Sequence, residues 1–358
     1  MKKGLQKCSI LLFMIIALFL TACSNEGADN QESEEEAKEE QPVVEPEPSE
    51  EPPEPEYQNT YPLTGVGTNE PVNNRIVGVM VNNHTKARPQ SGLSKADIVY
   101  ELLAEGPITR FLAFFHSEKP EVAGPVRSAR EYYADLAQGM GAIYIYHGAA
   151  HHIEDIIMNK DLDLIRGAIH DDDRYLFKRE SFRAAPHDSY LIYPNVYEAA
   201  EQKGIDINQD YEPYPFLSKD EVSQISGEEA SRVHIVYHEG LEEVTYEYDE
   251  VNEQYVRYSD GEKTVELETE EPVVLDNIFV VETGHRVIDS AHRRAIDLES
   301  GGRGYLVQKG KVQEVEWKNV DGRILPFKNG EKVKFVPGKT WVNVVPETPG
   351  IDQSVQFN

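Results

Sequence analysis

Between residues 24 and 60 the chain carries 14 acidic residues, a single lysine (Lys38), six prolines and almost no large apolar side chain. Such a stretch cannot bury enough surface to offset the entropy of ordering it. A fold must therefore be built from the residues that follow it. Like charges and proline favour an extended chain at ~3.1 Å per residue where it is polyproline II. These 37 residues would then reach on the order of 100 Å.

What precedes this stretch is read separately. Lys2, Lys3 and Lys7 form a basic start, Ser9 to Leu20 is almost wholly apolar, and the chain then reads Leu20-Thr21-Ala22-Cys23. That is the order of an export signal: charged, apolar, then small residues at a cleavage site. The apolar run is shorter than the ~20 residues a membrane-spanning helix needs. A cysteine directly after Leu-Thr-Ala resembles the lipobox of bacterial lipoproteins, which implies lipid on Cys23 and an acylated new N-terminus. The bland alternative is an ordinary secretory leader with a chance cysteine. The other cysteine, Cys8, lies in the leader, so the processed chain would hold no second thiol and no disulfide. Residues 1–22 are thus expected to be a signal peptide and 23–60 a lipid-anchored acidic tether. The body would sit at the outer face of the cell membrane, exposed in the envelope. Formal charge is −29, which argues against nucleic acid as a partner.

Ordered patterning begins near Tyr61. Ile76–Val81, Ala96–Leu103 and Thr109–Phe115 read as strands, with Glu105-Gly106-Pro107 as turn chemistry between the last two. Gly124-Pro125 followed by VRSAREYYADLAQ predicts a helix with proline in its first turn. Ala142–Tyr146 is β-prone, Ala149–Asn159 and Val196–Lys203 are helical in pattern, and the texture changes between 205 and 230. After that, short β-type runs separated by turns continue to Val345. The expectation is an α+β chain: a mixed α/β domain over 61–225, then an antiparallel β-rich domain, sandwich- or barrel-like, over 226–358.

The segments RPQSGLSKADIVYELLAEGPITRFLAFF (Arg88–Phe115), GPVRSAR (Gly124–Arg130) and PGKTWVNVVP (Pro337–Pro346) resemble the YerB-like family of Gram-positive lipoproteins. The similarity runs from about Arg75 to Pro346. It implies a lipobox, a spacer, an N-terminal domain and a β-rich C-terminal domain. The family is one of unknown function, so it supplies no catalytic residues.

Three constellations could carry chemistry. Arg127 and Arg130, three apart near a predicted helix start, with Arg110 on the preceding strand and Arg88 on the loop before that, could form an anion site. Asp97, Glu101, Glu105, Glu131 and Asp135 occupy the same region, so a structural ion-pair network is the competing reading. His147, at the end of a strand-like run, His151, His152, His170 before three aspartates, and His187-Asp188 could bind a transition metal. Their spacing matches no metal motif, and no metal site is assigned. Ser128 with His147 or His187 and Asp188 has the residue types of a hydrolase but lacks a Gly-x-Ser-x-Gly elbow. No phosphate-binding glycine loop follows a strand, and no cofactor is expected. The C-terminal aromatics Tyr246, Tyr248, Tyr255, Tyr258, Trp317 and Trp341 are read as core more than as a sugar-binding face.

Two functions remain open. One is a membrane-anchored lipoprotein that binds or assembles an envelope partner, protein or anionic glycan, through the α/β domain. The other is an envelope enzyme acting on an anionic glycan or phosphate-containing substrate through an Arg/His pocket.

Overall fold

The computed structural model describes residues 56–238 and 240–358. Cys23, the leader and the tether up to residue 55 lie outside the described residues. Among those described, the strands of the central sheet before residue 226 are β1 (Val77–Asn82), β2 (Ile98–Glu105), β3 (Ile108–Phe115), β4 (Ile143–Tyr146) and β5 (Leu164–Arg166). Helices α1 (Glu131–Gly139), α2 (His151–Met158) and α3 (Val196–Gln202) fall in the same part of the chain. Later come β6 (Arg232–His238), β7 (Glu242–Asp249), β8 (Gln254–Ser259), β9 (Asn277–Thr283), β10 (Gly302–Gln308), β11 (Lys311–Val320), β12 (Arg323–Lys328), β13 (Thr340–Pro346) and β14 (Val355–Phe357).

One sheet of 12 strands organises the molecule, in the order β12-β11-β10-β9-β13-β2-β3-β1-β4-β5 plus two short edge segments. It runs straight across the boundary expected at residues 225 and 226. The strand that makes this possible is β13, which lies parallel to β9 on one side and to β2 on the other. Its sequence, TWVNVVP, is buried at six of seven positions rather than at every second one. A strand buried on both faces belongs inside a sheet, and an amphipathic antiparallel edge does not suit it. The C-terminal half therefore departs from a purely antiparallel arrangement at this strand.

The inner strands of the central sheet alternate between two cores. Val77, Val79 and Val81 of β1 join Phe111, Ala113 and Phe115 of β3 on one face, against Val233, Ile235, Val244 and Tyr246 of a second, antiparallel sheet. That second sheet runs β8-β7-β6-β14. On the other face Met80, Tyr100, Leu112 and Phe114 meet Tyr133, Ala137 and Ile157 of α1 and α2. Of the C-terminal aromatics, Tyr246, Tyr255, Trp317 and Trp341 are fully buried, as a core role requires. Two glycines meet where α1 ends: a Cβ on Gly139 would lie 2.4 Å from the Gly322 backbone, which turns between β11 and β12 at φ +83°.

Between the two sheets lies a buried polar knot. Glu101 of β2 and Arg257 of β8 are both fully buried and pair at 2.8 Å. The same carboxylate oxygen accepts Trp341 Nε1 at 2.9 Å, and the other accepts Thr109 Oγ1 at 2.9 Å. Arg257 is stacked 4.4 Å from the Trp341 ring centroid and 5.2 Å from that of Phe111.

Candidate functional site

Strands β1, β4 and β5 are mutually parallel neighbours, and their carboxyl ends, at Asn82, Tyr146 and Arg166, open on the same side. In α/β sheets this is the end at which ligands are most often received. Three loops gather there: residues 83–90, 125–130 and 167–188.

The 125–130 segment departs from expectation. The helix does not start at Pro125; it starts at Glu131, with Arg130 as its cap residue in an extended conformation. The backbone upstream spends its hydrogen bonds on neighbours. Val126 N–H donates to Ser189 O (2.7 Å), Arg127 N–H to Met80 O (2.9 Å) and Ala129 N–H to Gly148 O (2.8 Å), while Arg127 O accepts His147 N–H (3.0 Å). These bonds compete successfully with the i to i+4 pattern of a helix. Arg127 and Arg130 consequently do not share a helical face.

The four arginines part company. Arg130 forms an ion pair with Glu105. Arg110 donates to both oxygens of Glu105 (2.8 and 2.7 Å) and to Ser128 O (2.5 Å). Arg88 donates to Asn83 O (3.0 Å), pairs with Asp260, and reaches Glu242 at 3.4 Å. These three serve the ion-pair reading. Arg127 is different: among the described residues its guanidinium has no hydrogen-bond or ion-pair partner. Burial, and then the charge of Arg110, push its pKa down to about 10.

Arg127 lines a pocket of about 250 Å³ together with Ser128, His147, Arg179, Pro186 and Asp188. His147 Nε2 lies 3.3 Å from Arg179 Nη2 and 3.6 Å from Asp171 Oδ1. Arg179 is held on three sides, by Asp171 (2.7 and 3.0 Å) and by Asp188 (2.8 Å). Its hydrogen bond holds the Asp171 carboxyl below the usual range. Ser128 Oγ hydrogen-bonds neither His147 nor His187, and Asp188 is engaged by Arg179, so a nucleophile–base pair is not assembled in this arrangement. No group of three or more His, Cys, Asp or Glu side chains stands close enough to hold a metal ion among the described residues.

Beside the pocket His187 packs against His84, ring centroids 4.7 Å apart and ring planes tilted by 43°. Arg183 ties their two loops together, donating to Ala87 O (2.7 Å) and Pro89 O (2.6 Å). Sequence reasoning brought Arg127, Ser128, His147, His187 and Asp188 to attention, and the fold gathers them. It missed His84 and Arg179, and it had Asp171 only as one of the aspartates after His170 and Asn82 only as the end of a strand. Arg179 belongs to no motif. A larger hollow of about 550 Å³ lies along Glu299–Arg303 and Glu316–Asn319, remote in the fold from all of these, and its Glu299, Arg303, Glu316 and Lys318 are of mixed sign.

Residues 63–206 match the family described as "Protein of unknown function (DUF3048) N-terminal domain", and residues 233–342 match its C-terminal domain. The chain is 48% identical over 291 residues to a protein of Bacillus subtilis (strain 168) named "Putative lipoprotein YerB", covering 80% of this chain and 86% of that one. The crystal structure of the YerB protein from Bacillus subtilis superposes with a TM-score of 0.77 at 45% identity, covering 84% of this chain and all of the other.

Proposed function

The chain belongs to the DUF3048 family, and we propose that it is a lipid-anchored envelope lipoprotein whose body recognises an anionic group on its partner through the Arg127 pocket. Lipid on Cys23 and the acidic stretch up to residue 60 would hold the body outside the membrane, within reach of wall polymers and envelope proteins. Recognition is assigned to the 61–225 part of the chain, where every residue of the pocket lies.

The observation that carries this reading is the unpartnered guanidinium of Arg127. Arg127 is partly buried, and a cation partly withdrawn from water without a counter-ion costs some stability. In a chain with 64 acidic residues, counter-ions are abundant, and Arg110, Arg130, Arg88 and Arg179 all have them. A site that keeps one fork of N–H donors free is organised for a ligand's oxygens. The surrounding negative charge repels polyanions at long range, so selection would rest on this short-range fit. The enzyme reading draws less support, because Ser128 and its possible bases are not hydrogen-bonded and Asp188 already serves Arg179.

The test is Arg127→Gln. Capture of an isolated anionic wall polymer by the lipidated protein should fall at least tenfold while the melting temperature holds or rises. Undiminished capture, or a large drop in melting temperature, would return Arg127 to a structural role.

A further inference from the structure

The His84–His187 pair beside the pocket has a protonation state that its hydrogen bonds fix. Asn82, buried at the end of β1, is the hub. The backbone N–H of His84 lies 3.1 Å from Asn82 Oδ1. A backbone N–H can only donate, so that side-chain atom is the oxygen, and the amide –NH2 must face the other way. It faces His187 Nδ1, at 2.9 Å. That nitrogen therefore accepts, and His187 carries its proton on Nε2. His84 reaches the same state by a separate route: its Nδ1 lies 3.1 Å from the backbone N–H of Lys86 and must accept as well. Neither Nε2 has a protein partner among the described residues.

A second proton on either ring would set an N–H against an N–H. The charges around the pair oppose it too. Burial, then Lys86, Arg88 and Arg127, lower the pKa of His84. Burial, then His84, Arg127, Lys86 and Arg183, lower that of His187. The neighbouring carboxylate, Asp188, is turned to Arg179 at 2.8 Å.

We infer that His84 and His187 are locked as neutral Nε2–H donors that complete the Arg127 site, and that the site takes a singly charged oxyanion, a phosphodiester or a carboxylate, in preference to a dianionic phosphate monoester. This rests on the anion-binding reading of Arg127. Among the described residues Arg127 supplies the pocket's cation that has no hydrogen-bond or ion-pair partner, Arg179 being taken by Asp171 and Asp188, and the imidazoles add direction without adding charge. A dianion would need a second cation that these rings are prevented from becoming. Acidification to pH 6 does not recruit them, so affinity for a monoanion stays level where an ordinary histidine site would strengthen.

The experiment is calorimetric titration of the purified full-length protein in detergent with three probes: bis(glycerol) phosphate, glucuronate and inorganic phosphate, at pH 6, 7 and 8, each repeated with Arg127→Gln. Imidazole ¹⁵N spectra are recorded on the same samples. The expected result is Arg127-dependent binding of the diester or the uronate whose Kd changes less than twofold across the pH range. Phosphate should weaken as it becomes a dianion, and the spectra should show both rings as Nε2–H tautomers. Arg127-dependent binding that tightens tenfold or more from pH 8 to pH 6 for the diester or uronate overturns the inference and leaves the pocket standing. So does a preference for dianionic phosphate, or a proton on Nδ1. Binding indifferent to Arg127, or none by any probe, overturns the pocket reading and this inference with it.

Discussion

Replacing Glu101 with glutamine removes one charge from the knot between the two sheets and almost nothing else. Both Glu101 and Arg257 have side chains that are 0% exposed, so Arg257 would be left charged, desolvated and without a counter-ion. It cannot relax toward water, because Trp341 and Phe111 stack on it and Thr264 Oγ1 holds its Nη1 at 2.8 Å. The amide oxygen of glutamine can still accept Trp341 Nε1, so shape and most hydrogen bonds persist. Breaking one partner of a buried pair costs about 3–5 kcal/mol. That is a large share of the roughly 5–15 kcal/mol by which domains are stable. Urea unfolding followed by tryptophan fluorescence measures it, since Trp341 and Trp317 are both buried. A second variant, Glu101→Gln with Arg257→Met, removes the orphaned charge and should regain at least half of the loss. A cost below about 1 kcal/mol for the single variant, or a double variant no more stable than the single, would refute the view that charge pairing holds these sheets in register.

Three further outcomes are expected. Burial raises the pKa of Glu242 to about 8, outweighing the opposing pull of Arg88 at 3.4 Å. The folded protein then keeps a proton that the unfolded chain releases near the ordinary glutamate value of 4.5. This group's contribution to stability is therefore full below that value and is lost progressively as pH rises toward 8; melting temperature against pH should be flatter in Glu242→Gln. Gly139→Val drives a side chain into the Gly322 backbone and should cost about 1–3 kcal/mol in thermal or chemical unfolding. Cys23→Ala should shift the protein from the membrane to the soluble fraction on cell fractionation, with no change in the melting temperature of the body.

The sequence was most legible where a pattern is local. Ile76–Val81 and Thr109–Phe115 read as strands because their apolar runs are short and bounded by turn residues, and they are β1 and β3. The helix expected from Pro125 was misread at its start. Its residues suit a helix, but Met80, Ser189 and Gly148 offer the backbone partners that are distant in sequence. The anion site was half legible for the same reason. Arginine spacing shows that cations are near one another, and says nothing of which carboxylate lies opposite each.

Residue order alone marked an acidic proline-rich stretch, the expectation of a leader over residues 1–22 before Cys23, and β-rich segments with few helices, because these depend on composition and short-range periodicity. Only the tertiary structure decided that β13 crosses back to join both halves in one sheet, and that Glu105 takes Arg110 and Arg130 while Arg127 has no partner among the described residues. Pairing between residues far apart in the chain is set by how whole sheets pack, and no local pattern records it.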